Sequence, residues 1–262
     1  KALVDYALEA IEAAGIQDVT IVVGYRKDKL MGHIGQRYPG LRIEYIANDI
    51  YDKTNNIYSL WLARERMAGD DILLLESDLI FEPKLLQELV ESPAANVAVV
   101  SKFESWMDGT VTLLDDDGRI VSVVDKDHFR WKDIGSYYKT VNIYKFSREF
   151  SRKYYLPFLD AYLAAFGDNI YYEQVLKVLA FLEDIDLRAM PVMGRRWYEI
   201  DDPHDLSVAE TLFSPAAEKL DRMNRRYGGY WRFPAVRDFC YLVNPYFPTQ
   251  RMLGEMRSSF DD

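Results

Sequence analysis

One cysteine, Cys240, is all the thiol chemistry that 262 residues contain, so neither an internal disulfide framework nor a cysteine-rich zinc site can be built. That scarcity fits a reducing cytoplasm. Positive charge is also in short supply: 32 Lys and Arg stand against 42 Asp and Glu, a net charge of -10. No basic patch interrupts that field, which repels phosphate backbones and argues against nucleic acid or an anionic membrane as a partner. No apolar run is long enough to cross a bilayer and no signal peptide is recognisable. Internal repeats and low-complexity tracts are missing as well. Lys1 leads directly into a helical pattern without an initiator Met, and residues 258–262 stop without a cap or turn signal; both ends read as cuts in a longer protein. What the chain does have is apolar side chain, 49% hydrophobic and 14% aromatic, enough to offset the ordering entropy of a packed core. Its length suits one large α/β domain, or one domain with an appendage.

Leu3, Ala7, Ala10 and Ile11 recur at helical spacing, with Gly15 as a stop. Residues 19–23 are too short and too β-branched for a helix and read as a buried parallel strand. The alternation continues with a short helix around Leu30 and Ile34, a strand at 41–46, a helix carrying Ile57, Leu60, Ala63 and Met67, and an apolar strand at 71–76. A helix at 85–90 and a strand at 97–100 follow. This rhythm predicts an α/β fold with a doubly wound, mostly parallel sheet. Between 111–114 and 120–124 the tetrapeptide DDDG at 115–118 supplies the positive backbone angle of a tight reversal, so a β-hairpin is inserted there. Further expectations are a strand at 140–146, helices over 148–166 and 171–182, a strand at 187–192 and a helix over 203–213 opened by Pro203. From Ser214 the composition shifts, predicting a domain over 1–213 and a linker or second unit over 214–262.

Asp78 stands at the carboxyl end of the 71–76 strand, the edge where open α/β sheets bind ligands, and is either a metal ligand or a turn cap. In EIDDPHD at 199–205, Asp202 before Pro203 is the expected helix cap, which leaves Asp201 free for a divalent cation such as magnesium shared with Asp78. Of Asn55 and Asn56, one suffices to cap the next helix, and the spare amide can read a nucleobase edge. Trp106 with Asp108 either receives a cationic ammonium group or anchors a loop. Lys126 and Lys139 are phosphate-binding candidates by charge, or solvated surface lysines.

These residues lie in segments that resemble a known family: VVGY at 22–25, YDKTNNIYSL at 51–60, LESDLIF at 75–81, ESWMDG at 104–109, YKTVNIY at 138–144 and WYEIDD at 197–202. Together, in this order, they are similar to nucleotidyltransferases of the sugar-nucleotide pyrophosphorylase superfamily, in particular phosphocholine and 2-aminoethylphosphonate cytidylyltransferases. The resemblance implies a Rossmann-like nucleotidyltransferase fold. It also implies that Asn55, Asn56 and Ser59 receive cytosine, that Asp78 and Asp201 bind Mg2+, and that Lys126 holds the phosphate or phosphonate of the acceptor. Asn142, Glu173 and Trp197 join Trp106, Asp108 and Lys139 as pocket residues on the same ground. The family's glycine-rich triphosphate loop and first strand would lie before Lys1, so the resemblance implies that this stretch alone does not catalyse. The segments YGGYWR at 227–232 and DFCYLVNPY at 238–246 resemble the junction of members fused to a pyridoxal-phosphate aminotransferase, which tilts the reading toward phosphonate biosynthesis.

The reaction implied is attack of an anionic phosphonate or phosphate oxygen on the α-phosphorus of CTP, expelling pyrophosphate. Positioning and charge neutralisation dominate such a step, since no strong base is required. Phosphocholine is the alternative acceptor, and a non-catalytic nucleotide-binding module is the alternative from another class; a homodimer is compatible with either.

Overall fold

The computed structural model describes the chain except residues 105, 108, 183, 227–231, 234–247 and 260–262, and the side chain of Lys126. Helix α1 (Leu3–Ala13) buries Leu8, Ala10 and Ile11 on one face, as its spacing requires. It leads to β1 (Asp18–Val23), α2 (Lys27–Ile34) and β2 (Arg42–Ala47), and β1 and β2 pair in parallel. The next helix is broken at Ala63 into α3 (Asn56–Leu62) and α4 (Arg64–Gly69). Then come β3 (Ile72–Leu75), a two-residue turn, β4 (Leu79–Phe81), α5 (Pro83–Glu91) and β5 (Val97–Lys102). The hairpin forms as β6 (Val111–Leu114) and β7 (Ile120–Val124), closed through Gly118 at φ 78°.

The long strand β8 (Tyr138–Phe146) is the spine of the main sheet, pairing antiparallel with β3, β5 and β6. Since β3 and β5 both run against β8, they share one direction, and β9 (Arg188–Pro191) joins β5 in parallel. The α/β fold with its inserted hairpin is therefore present, with β8 threaded in reverse through a set of co-directional strands. Helix α6 (Arg148–Phe150), a π turn (Ser151–Tyr155) and α7 (Leu156–Phe166) run on from β8; α8 (Glu173–Leu179) precedes β9. Two short elements went unread in the sequence, β4 and β10 (Trp197–Glu199), which pair antiparallel with each other. Helix α9 (Pro203–Phe213) begins where the proline placed it, with Asp202 accepting from the amides of His204 and Asp205 at 2.7 and 2.8 Å.

The strands sort their side chains by alternation. Val97, Val99, Val141 and Ile143 pack beneath α1 and α5, whereas Ala98, Tyr144 and Phe146 pack beneath α3, α7 and α8. Both faces of the main sheet are thus covered, and Tyr144, Phe146 and Tyr155 are wholly buried, each worth about 2–3 kcal/mol of apolar transfer. β1 and β3 are less covered than their β-branched and leucine-rich sequences suggest: in β1 only Val23 is buried, and all four residues of β3 are half-buried. Among the described residues each of the two strands is hydrogen-bonded along one side only, and they flank a cleft of about 1750 Å³. Beyond residue 213, α10 (Ala216–Asn224) and α11 (Gln250–Ser258) follow. Met223 and Phe233 are buried against Tyr198 and Val208, so the 214–262 stretch begins by packing onto the preceding domain. No helix among the described residues is long and apolar enough to cross a membrane.

Candidate active site

The cleft gathers Asn55, Asn56, Ser59, Asp78, Trp106, Lys139, Asn142, Glu173, Trp197 and Asp201 from stretches far apart in sequence. Pairing of β4 with β10 sets Leu79 opposite Glu199, and the Ile200 amide donates to the Asp78 carbonyl at 2.9 Å. The two acidic segments, more than a hundred residues apart, therefore converge at the carboxyl ends of β3 and β10. Asp108 lies outside the described residues and so does the Lys126 side chain; the Lys126 backbone sits in a short 3-10 turn, Lys126–His128. That turn is tied down by Asp125, which accepts from Lys177 and from His128 Nδ1. The Lys177 ammonium, then His128, hold the Asp125 carboxyl at about 2.

Asn142 organises the centre. It adopts φ 58° in the middle of β8, beside a register shift between Ala98 and Val100 of β5, a left-handed conformation that asparagine tolerates better than most side chains. Its Nδ2 donates to Glu76 Oε2 at 2.8 Å and to Glu199 Oε1 at 3.1 Å. Lys139, 5% exposed, completes the layer with an ion pair to Glu199 Oε2 at 2.9 Å. The loop before β6 lies close enough that a Cβ on Gly109 would stand 3.0 Å from Lys139 Nζ. On the far side, Asn56 spends its whole carboxamide on the protein: Oδ1 accepts from the Tyr172 amide at 2.9 Å, and Nδ2 faces Glu76 Oε1 at 3.2 Å and Glu173 Oε2 at 3.5 Å. Asn55 caps α3, accepting from the Asn56 amide, and Ser59 meets Asn48 Nδ2 at 3.2 Å. The spare amide that the sequence reading reserved for a nucleobase is thus engaged in bracing the acidic wall.

So many carboxyls crowded out of water resist ionisation. Burial first, then the charges of Glu173 and Asp78, push Glu76 up to about 8. Burial likewise raises Asp78, Glu173 and Asp201. Asp78 Oδ1 is buried and makes no hydrogen bond. Among the described residues, Glu76, Asp78 and Glu199 form a group whose carboxylate oxygens all lie within 4.8 Å of one another, whereas the sequence pairs Asp78 with Asp201. Glu199 has both oxygens committed, to Asn142 and Lys139. Exposed Asp201 stands near enough for its charge to raise Asp78. Of the three converging acids, Asp78 alone keeps a buried oxygen without a hydrogen bond. Hard carboxylate oxygens and an orphaned acceptor fit a small divalent cation.

Trp106 stacks on Tyr198 with ring centroids 5.5 Å apart, and Arg232 lies 5.7 Å from its ring. Its Nε1 donates to Glu104 at 2.7 Å. Trp106 is thus held by Tyr198, Arg232 and Glu104 while it also lines the cleft. Glu76 and Glu199 were missed by the sequence reading as wall-forming acids. Glu199 carried a signal, standing two residues before Asp201, a spacing that repeats the same side in extended chain; Glu76 carried none, since Ser77 and Asp78 form a turn.

No family model matches the chain. It is 32% identical over 261 residues to the CMP-5'-(3-aminopropyl)phosphonate synthase of Streptomyces rubellomurinus, a match covering 98% of this chain and 41% of that protein. In structure it is similar to the CTP:phosphocholine cytidylyltransferase of Streptococcus pneumoniae, with a TM-score of 0.67 over 82% of this chain and 86% of that one at 21% identity. This likeness shows a nucleotidyltransferase fold. A further relative, the 2-aminoethylphosphonate cytidylyltransferase of Lancefieldella rimae, is 23% identical over 79% of this chain and 78% of its own length. The chain spans about two fifths of the length of the Streptomyces relative.

Proposed function

We propose that the protein transfers CMP from CTP to 2-aminoethylphosphonate and releases pyrophosphate, in phosphonate biosynthesis. The observation that carries this reading is the convergence of Asp78, Lys139, Asn142 and Glu199 at the strand ends, in a chain whose relatives include enzymes named for aminoalkylphosphonates. An acceptor phosphonate is already anionic, so the residues have to hold two anions together rather than remove a proton. Lys139, fixed by Glu199, places one positive charge in the cleft, and Lys126 is the second lysine on this reading. Asn142 keeps Glu76 and Glu199 in place without adding charge. Asp78 and Asp201 would hold magnesium, which when bound supplies neutralisation of the phosphate oxygens. Residues 214–262 are, on this reading, the junction to an aminotransferase.

The test is a panel on the full-length protein, with 2-aminoethylphosphonate, phosphocholine and sugar 1-phosphates each offered with every nucleoside triphosphate and magnesium, following pyrophosphate. Release with CTP and 2-aminoethylphosphonate is expected; preference for a sugar phosphate or another nucleotide overturns the proposal. Asp78→Ala and Asp201→Ala are each expected to abolish turnover with the fold retained by circular dichroism, and near-normal rates in either would refute the metal assignment.

A further inference from the structure

Behind the Lys139 layer the cleft wall changes character. Glu76 and Glu173 face each other across the Asn56 amide, which reaches Glu76 Oε1 at 3.2 Å and Glu173 Oε2 only at 3.5 Å. Glu173 heads α8, held there by the bond from the Tyr172 amide to Asn56 Oδ1. Tyr172 itself is 2% exposed, and its hydroxyl makes no hydrogen bond. Tyr172 lines the same cleft as Glu76 and Glu173, and its ring meets Tyr144 edge-on at 6.2 Å. The wall therefore offers two carboxyls and one buried phenolic oxygen, whose hydrogen bonds among the described residues come from amides and not from a cation. An unpaired buried hydroxyl is costly unless something comes to meet it.

A primary ammonium carries three N–H donors, and this wall holds three acceptor groups for them. A quaternary ammonium has no donor, and would leave the Tyr172 oxygen as unsatisfied as before. Trp106, the aromatic candidate for a cation, has Tyr198 and Arg232 against its ring. We infer that Glu76, Glu173 and Tyr172 form the recess that takes the primary ammonium group of the acceptor, and that they are the residues selecting an aminoalkylphosphonate over its quaternary or amine-free counterparts. This deepens the proposed function and rests on it for the identity of the acceptor.

Binding separates the two claims. In the full-length protein, the affinities of 2-aminoethylphosphonate, ethylphosphonate and phosphocholine are measured by titration calorimetry with magnesium present. The wild type is expected to bind the amino compound at least tenfold more tightly than ethylphosphonate. In Glu173→Gln and Glu76→Gln that ratio is expected to fall toward unity, with a smaller fall in Tyr172→Phe. A wild type that binds all three alike overturns the inference, as does a ratio unchanged in both Gln variants. Collapse of the ratio in Asp108→Asn alone also overturns it, moving the amine to the loop. Discrimination that follows Glu173 and Glu76 without CMP transfer from CTP would leave the recess standing and remove the functional reading.

Discussion

Replacing Asn142 by alanine withdraws two supports at once. The side chain donates to Glu199, a carboxylate already paired with Lys139, and to Glu76. A hydrogen bond to a charged partner is worth about 1.5–3 kcal/mol and one to a neutral acid about 1 kcal/mol. Alanine must also hold the backbone at φ 58°, at a cost of about 1–2 kcal/mol that asparagine bears more easily. Asn142→Ala is therefore expected to lose roughly 4 kcal/mol, and relaxation of the glutamates will recover part of it. Asn142→Gly loses the same hydrogen bonds but not the backbone conformation. It should be more stable than the alanine variant by about 1 kcal/mol, the reverse of the usual order inside a strand. Urea unfolding of the three proteins in metal-free buffer, followed by tryptophan fluorescence, reads both differences. If the alanine variant matches or exceeds the glycine variant, the strained backbone argument is wrong; if both match wild type, the bridging role is wrong.

Glu76 gives a pH signature of opposite sign to an ordinary ion-paired acid. With its folded value raised to about 8 from an ordinary 4.5, the folded state keeps a proton between those limits that the unfolded chain has lost. Its contribution to stability thus falls by up to about 1.4 kcal/mol per pH unit across that window. Glu76→Gln should flatten the decline measured by urea unfolding from pH 5 to 8, and parallel profiles would count against it. Asp5 works in the other direction. Burial alone would raise it, but the Tyr38 hydroxyl, the Ala2 amide and His33 outweigh burial and bring it to about 2 from 3.8. Its stabilisation, about 2 kcal/mol, is full above pH 4 and disappears as pH falls through 2; Asp5→Asn should lose that amount at pH 7 in urea unfolding, and an unchanged midpoint would refute it. Gly109→Ala puts a Cβ within 3.0 Å of Lys139 Nζ at φ 94°. A loss of about 1–2 kcal/mol is expected, read as a lower melting temperature, and an unaltered one would show the loop free to move aside.

The layered part of the fold was legible because its signals are local: the short apolar run of β5, helical spacing in α1, the DDDG reversal and the Asp202 cap. β4 and β10 escaped because three residues carry no period, and their pairing joins Phe81 to Trp197, a choice made by tertiary contact. Asn142 read as one more strand residue, since nothing in YKTVNIY announces a left-handed angle; the bulge that creates it needs β5 as a partner. Asp78 and Asp201 were visible, but Glu76, Glu199 and the division of labour among these acids were not. Which carboxylate is braced by amides, which is paired with lysine and which keeps a bare oxygen depends on geometry between distant segments. Asn56 shows the same limit: its type suggested recognition of a base, whereas its neighbours Glu76, Glu173 and Tyr172 set its actual contacts.

Among the described residues, β1 and β3 each leave one row of peptide groups unpaired beside the cleft. Water satisfies such rows in dilute solution, but any extended backbone satisfies them better, including that of a neighbouring molecule. Concentrating this 262-residue polypeptide by itself should thus drive self-association through peptide-to-peptide pairing, most strongly near neutral net charge around its isoelectric point, and light scattering that rises with concentration would follow from the same two rows.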